Sequence, residues 1–200
     1  MNEKVFDEIV YLTLHGEEIE PYKEKISSFL LNLTEERKTL FYKELPDEDC
    51  QEIFRKVVGH LKFIVLAKFK GEIIGVNAFT NGQKGLLYKL FPTVSGFVVV
   101  SKNFQGKGIG TKLVTTAQKT LEKTWAFNLG QVRKNNLAMI KIDEKHGWKK
   151  VPGDDTLVHF YYPCRKEMRI ISHLFWISYW INLRSKRVRE LLHTATMRIL

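Results

Sequence analysis

The apolar positions change rhythm once, abruptly, near the middle of the chain. Phe97, Val98, Val99 and Val100 form an unbroken apolar run, the pattern of a central strand covered on both faces. Leu113, Val114, Ala117 and Leu121 then recur at helical spacing, and Gly106, Gly108 and Gly110 lie between the two segments. The order is strand, tight loop, helix.

The flanking segments fill in around this unit. Residues 9–14 read as a first strand, left by a turn at His15, Gly16, Glu17 and Glu18. Pro21 suits the first turn of a helix carrying Ile26, Phe29, Leu30 and Leu33 on one face. Thr34 caps a further helical piece with Leu40 and Phe41, and Pro46 and Asp47 open another with Ile53, Phe54, Val57 and Val58. Residues 62–68 and 72–79 are strand-like runs joined as a hairpin at Lys70 and Gly71, and residues 93–100 follow as the next strand. Beyond the glycines, residues 125–132 read as a strand, 136–145 as a helix stopped by Gly147, and 156–162 as a late strand.

Length and composition narrow the class. Two hundred residues with 44% apolar content suffice for one sizeable core, without repeats or low-complexity blocks. The acidic N-terminal segment lacks the basic-then-apolar order of a secretory signal, so a cytoplasmic location is expected. Cys50 and Cys164 are too few for a disulfide framework and have no metal-ligand spacing with the six histidines, so no metal is assigned.

The glycine loop carries the chemistry. A helix start leaves backbone N–H groups without partners and adds the positive end of the helix dipole. Glycines let a ligand oxygen approach, and Lys107 and Lys112 add positive charge, so a phosphate or pyrophosphate is the expected guest. The glycines alone fit an ordinary tight turn equally well, and the spacing decides. A nucleotide-triphosphate loop and a dinucleotide loop both fail, the second because Gly106, Gly108 and Gly110 alternate with single residues.

The run Gln105, Gly106, Lys107, Gly108, Ile109, Gly110 instead resembles the signature of the GNAT family of N-acetyltransferases, a glutamine or arginine followed by x-x-Gly-x-Gly/Ala. A second stretch supports it: Asn136, Ile140, Ile142 and the close Lys145, His146, Gly147, Trp148 resemble that family's asparagine-to-glycine helix, with Met139 for alanine and Trp148 for phenylalanine. The resemblance covers roughly residues 8–163. It implies an α/β (α+β) fold with a central mixed, mostly antiparallel sheet flanked by helices, in a domain of residues 1–163; the tail's own pattern adds a C-terminal helical extension over 164–200. It also implies acetyl-CoA as co-substrate, held by Val98, Val100, Gln105, Gly106, Lys107, Gly108, Ile109, Gly110, Thr111 and Asn136. The activity implied is acetyl transfer to an amine that attacks the thioester directly. The acceptor is a small molecule or a protein amine.

One position departs from the family. The usual tyrosine that protonates the leaving thiolate falls on Asp143, the candidate catalytic residue here. An aspartate at its ordinary pKa near 3.9 is ionised and cannot donate; it serves as an acid only if burial raises that value by several units. The alternative function is therefore a catalytically weakened acyl-CoA binder. Tyr161 and Tyr162 are substitutes for the donor, although sheet packing is their simpler role. No carboxylate stands at Thr93, Val94 or Ser95, so a water-relayed base is expected, and Glu17, Glu18 and Glu20 read as a solvated face before they read as an acceptor pocket.

The tail has its own character. Residues 165–200 hold eight Lys/Arg and two Glu, a net of 8 − 2 = +6 within a chain total of +10. Residues 170–183 are rich in Trp, Phe and Tyr and, if helical, extend about 21 Å, short of a hydrocarbon core of about 30 Å. The expectation is burial as helices on the domain or on a second subunit, with a peripheral membrane contact as the competing reading. No nucleic-acid fold signature accompanies the basic residues, so no nucleic-acid partner is expected.

Overall fold

The computed structural model describes residues 8–33, 47–81, 92–151 and 156–169, with side chains from residue 52 onward in the second of these spans. The helical piece expected after Thr34 and nearly all of the basic tail lie outside the described residues.

Seven strands form one sheet in the order β1-β2-β3-β4-β5-β7-β6. They are β1 (Ile9–His15), β2 (Leu61–Phe69), β3 (Glu72–Asn81), β4 (Thr93–Val100), β5 (Phe127–Arg133), β6 (Lys149–Val151) and β7 (Leu157–Pro163). Every pairing is antiparallel except β4 with β5, which is parallel. The helices are α1 (Lys23–Leu31), α2 (Asp47–Gly59), α3 (Ile109–Thr124) and α4 (Leu137–Lys145).

The unbroken apolar character of β2 has a physical reason. Its alternate residues Ile64 and Leu66 pack beneath Ile26 and Leu30 of α1 and Phe54 and Val58 of α2. Phe63, Val65 and Ala67 point the other way, onto Leu113, Ala117 and Leu121 of α3. Both faces are covered, so no position alternates with solvent. The β2–β3 turn uses Lys70 at φ 51° and Gly71 at φ 87°, the left-handed pair that a two-residue hairpin favours.

Three sequence expectations are corrected, and one short strand was not anticipated. Pro21 lies inside a 3-10 segment, Gly16–Tyr22, and α1 begins only at Lys23. Trp125 is not part of a strand: its N–H bonds back to Leu121 O at 2.9 Å and closes α3, so β5 starts at Phe127. The strand β6 is only three residues long, too short to leave a periodic signal. The late strand β7 runs one residue further than expected, to Pro163.

Candidate active site

The feature that makes a site is a strand left half unpaired. β4 pairs with β3 from Val94 to Val100, but with β5 only at Thr93, Val94 and Ser95. Beyond Leu129, β5 follows β7, as in the pairs Gly130↔Phe160 and Arg133↔Leu157. The two parallel strands therefore part, and the edge of β4 beyond Ser95, unpaired among the described residues, faces the gap. Alternation along a strand identifies which groups face it. Ser101 N donates to Ile74 O of β3 at 2.9 Å, so Val99 and Phe97 also turn toward β3, while the backbone groups of Val98 and Val100 turn to the gap.

The gap ends at the glycine loop. Gly106 has φ 72° and Gly108 φ 75°; Gly108 is the N-cap of α3 and has no side-chain cap. A Cβ at either residue meets nothing within 4 Å, so the demand there is for backbone conformation and not for space. The first intrahelical bond runs from Lys112 N to Gly108 O, and the N–H groups of Ile109, Gly110 and Thr111 emerge from the helix end. Gly110 differs from the other two. Its φ is ordinary, and a Cβ would sit in normal contact, 3.9 Å from Val100 Cγ2 and 4.0 Å from Ile142 Cδ1. Its missing side chain leaves the wall of the gap open.

Above the gap is a cleft of about 760 Å³. Its roof is the α3–α4 contact, strapped by Thr115 Oγ1 and His146 Nε2 at 3.0 Å and by Gln118 Nε2 donating to His146 O at 3.0 Å. Of the residues expected to hold the cofactor, Val98, Val100, Gln105, Gly106, Gly108, Ile109, Gly110, Thr111 and Asn136 all line this cleft. Gln105 Nε2 donates to Val100 O at 2.8 Å, fastening the loop to the end of the free edge. Asn136 caps α4, its Oδ1 accepting from Met139 N at 3.2 Å. Lys107 is the exception. Its ammonium donates to Asn103 O at 2.6 Å and lies over the Phe104 ring, away from the cleft wall.

Asp143 also lines the cleft, on the same helical face as Asn136 and Met139. It is 2% exposed, and its Oδ1 has no hydrogen-bond partner. Burial, with a smaller push from Glu144, raises its pKa to about 7. Burial moves this carboxyl in the direction that an acid at this position requires. The tyrosines have other work: Tyr161 and Tyr162 are buried on β7 and line no part of the cleft. Tyr162 Oη donates to Glu122 Oε1 at 2.9 Å, and its pKa is pushed up to about 12, first by burial.

Glu17, Glu18 and Glu20 are exposed and outside the cleft; Glu18 accepts from His15 N, and Glu20 pairs with Lys23. Among the described lining residues Asp143 and Arg133 are the titratable side chains, and no described cluster of His, Cys, Asp or Glu has the form of a metal site. Burial pushes the Cys164 thiol far up, which makes it inert. Sequence reasoning missed Asn128 and Trp148, whose Oδ1 and Nε1 are buried in the cleft without partners. An asparagine in an otherwise apolar strand start was the available signal.

Residues 29–148 match the Acetyltransferase (GNAT) family. Among solved structures, a GNAT-family acetyltransferase from Streptococcus pneumoniae is 17% identical, with a TM-score of 0.56 over 77% of this chain and 99% of that one. A putative acetyltransferase from Salmonella typhimurium, solved with its cofactor acetyl-CoA, is 14% identical, with a TM-score of 0.55 over 80% and 95%. PH1933 from Pyrococcus horikoshii is 23% identical, with a TM-score of 0.57 over 78% and 98%. At these identities the structural likeness is one of fold. No curated protein sequence matches the chain.

Proposed function

The chain belongs to the acetyltransferase (GNAT) family, whose acyl donor is acetyl-CoA, and from that premise we propose that it is an N-acetyltransferase acting on an amine by direct attack on the thioester. The observation that carries this reading is the free edge of β4 running into an uncapped helix start: one backbone edge for an extended arm, and one cluster of N–H groups for its anion. The residues present fit the cofactor. Gly108, Ile109, Gly110 and Thr111 hold the pyrophosphate through backbone N–H groups, with Gly106 and the backbone of Lys107 shaping the turn. Val98 offers both N–H and C=O to the arm. Val100 offers its N–H, because Gln105 already occupies its carbonyl. Asn136 has its amide NH₂ left for the cleft.

Acetyl-CoA supplies an activated carbonyl and a thiolate leaving group. The protein's part is position, charge and protons. A backbone N–H on the β4 edge donates to the carbonyl oxygen, where negative charge grows as the C–N bond forms. The C–S bond then breaks, and the Asp143 carboxyl, whose pKa burial raises to about 7 so that it is still partly protonated at neutral pH, gives its proton to the thiolate. No second carboxylate lines the described cleft, so the proton of the attacking ammonium leaves through water. The acceptor is a small-molecule or protein amine, and the free, buried Cys164 accords with a cytosolic setting. No helix among the described residues is long and apolar enough to cross a membrane.

The test is release of free CoA from acetyl-CoA in the presence of a mixed panel of small amines, lysine peptides and free N-termini. Amine-dependent release is the expected result. Tight CoA binding without turnover across the whole panel assigns the chain to the acyl-CoA binders instead.

A further inference from the structure

Three buried side-chain atoms among the described residues lack a hydrogen-bond partner: Asn128 Oδ1, Asp143 Oδ1 and Trp148 Nε1. All three residues line the same cleft. A buried polar group without a partner costs about 1–3 kcal/mol, so three gathered in one place point to a ligand that satisfies them. Asn128 is 1% exposed and sits at the closed end of the gap. It pairs with Val94 on one side and Tyr162 on the other, both of which pack on the α3 face, so its side chain points beneath α3. Gly130 lies two residues along the same face, and the Trp148 ring covers it. Trp148 is tied to the helix that carries Asp143 by its backbone N–H donating to Asp143 O at 3.0 Å. From α3, Ala117 and Leu121 complete this inner end.

The position identifies the part of the substrate that reaches it. This step rests on the acetyltransferase reading, in which the anion sits at the glycine loop and the arm runs along β4 toward Ser95. That distance is five residues, about 17 Å, and it ends one residue from the Val94↔Asn128 pair. What lies beyond the thioester therefore meets Asn128 and Trp148. The inner end is enclosed, which suits a group carried in on the arm better than a separate acceptor that must enter from solvent.

We propose that this inner end is an acyl subsite for a short hydroxyacyl chain, so that the protein transfers 3-hydroxyacyl groups of about four carbons as well as acetyl. Hydrogen-bond chemistry selects the class. The indole N–H is a donor only, and Asn128 Oδ1 is an acceptor. A hydroxyl accepts from the first and donates to the second. An alkyl chain leaves both unsatisfied. A carboxylate meets an acceptor and the Asp143 carboxyl, and Arg133, the cation among the described lining residues, stands five residues along β5 from Asn128. An ammonium has no use for the indole donor. In the transfer itself the amine nitrogen bonds to the acyl carbon, the C–S bond breaks, the thiolate is protonated, and the hydroxyl passes unchanged into the amide product.

The experiment is calorimetric titration of the intact protein with acetyl-CoA, butyryl-CoA and racemic 3-hydroxybutyryl-CoA, which differs from butyryl-CoA by one hydroxyl. The hydroxyacyl thioester should bind at least about tenfold more tightly than butyryl-CoA. That ratio should collapse toward one in Asn128→Leu and fall in Trp148→Phe, the second variant removing the donor with little change of shape. If acetyl-CoA binds but the hydroxyl gives no advantage, the subsite is wrong and the acetyltransferase reading stands. A preference that survives both substitutions also overturns the subsite. If none of the three thioesters binds, the acetyltransferase reading falls, and the subsite with it.

Discussion

Trp148 closes over Gly130: a Cβ on Gly130 would lie 3.1 Å from Cζ3 of the indole. The contact fastens the segment after α4 to β5 and fixes the inner wall of the cleft. A harder contact exists at Gly96, where a Cβ would lie 2.5 Å from Phe79 Cδ1 and 2.7 Å from Ala78 O, a backbone atom that cannot turn aside. Gly130→Ala should lower stability by about 1 kcal/mol, because the indole can shift, and Gly96→Ala by about 2–3 kcal/mol. Urea denaturation of the two variants checks the order. Equal losses would mean that β3 and β4 move apart more readily than their pairing suggests.

At the phosphate end, binding and stability should separate. Gly110 has an ordinary φ and room for a Cβ, and an acidic residue in the first turn of a helix is favourable by about 0.3–1 kcal/mol. Gly110→Asp should therefore melt no lower than the parent protein. Its carboxylate would stand where the proposed site holds the pyrophosphate, and CoA affinity should then drop at least about a hundredfold. Parallel melting and CoA titration give both numbers; unchanged affinity would remove the glycine loop from the site.

Asp143 makes two pH-dependent predictions with one cause. In the proposed mechanism it donates from its neutral form, so turnover should decline as pH rises through about 7, where the buried carboxyl ionises. Asp143→Asn should cost about 10- to 100-fold in turnover, about 1.4–2.7 kcal/mol of barrier, and lose that declining limb. A variant that keeps the limb shows that another group titrates.

The same raised pKa acts on folding. The folded protein binds this proton more tightly than the unfolded chain, so the contribution is fully present below the unfolded value of 3.8 and is lost as pH rises through about 7. A shift of about three units amounts to at most about 4 kcal/mol. Asp143→Asn carries no charge to desolvate, so its melting temperature relative to the parent should rise between pH 5 and pH 8. A constant difference would show that Asp143 is already ionised in the folded protein across this range, as a carboxyl that reaches water would be.

Much of this fold was legible in the sequence because two periodicities are clean. The β2 and β4 runs are apolar on every face, and Leu113, Ala117 and Leu121 fall on one helical stripe, so the strand, loop and helix around the glycines read directly. Asn136 stood at the start of the helix read over 136–145, and it caps α4. What stayed hidden depends on atoms brought together from afar. Nothing local to Asp143 states that it is 2% exposed; that comes from packing beneath α3 and beside Trp148. The charge of Lys107 suggested a ligand for phosphate, whereas the side chain settles on Phe104 and Asn103 three and four residues back. Tyr162 could not be assigned without knowing that Glu122, forty residues away, receives its hydroxyl.

The one-sided pairing of β4 has a consequence for hydrogen exchange. Phe97 and Val99 give their amides to β3 in the free protein and should exchange slowly, while Val98 and Val100, one residue over, face the opening and should exchange fast. An occupant of the gap supplies the missing neighbour, so protection should appear at Val98 and Val100 and hardly change at Phe97 and Val99. Under the proposed function the cofactor would act as an eighth strand for as long as it is bound, and the sheet would reach its full cooperativity only then.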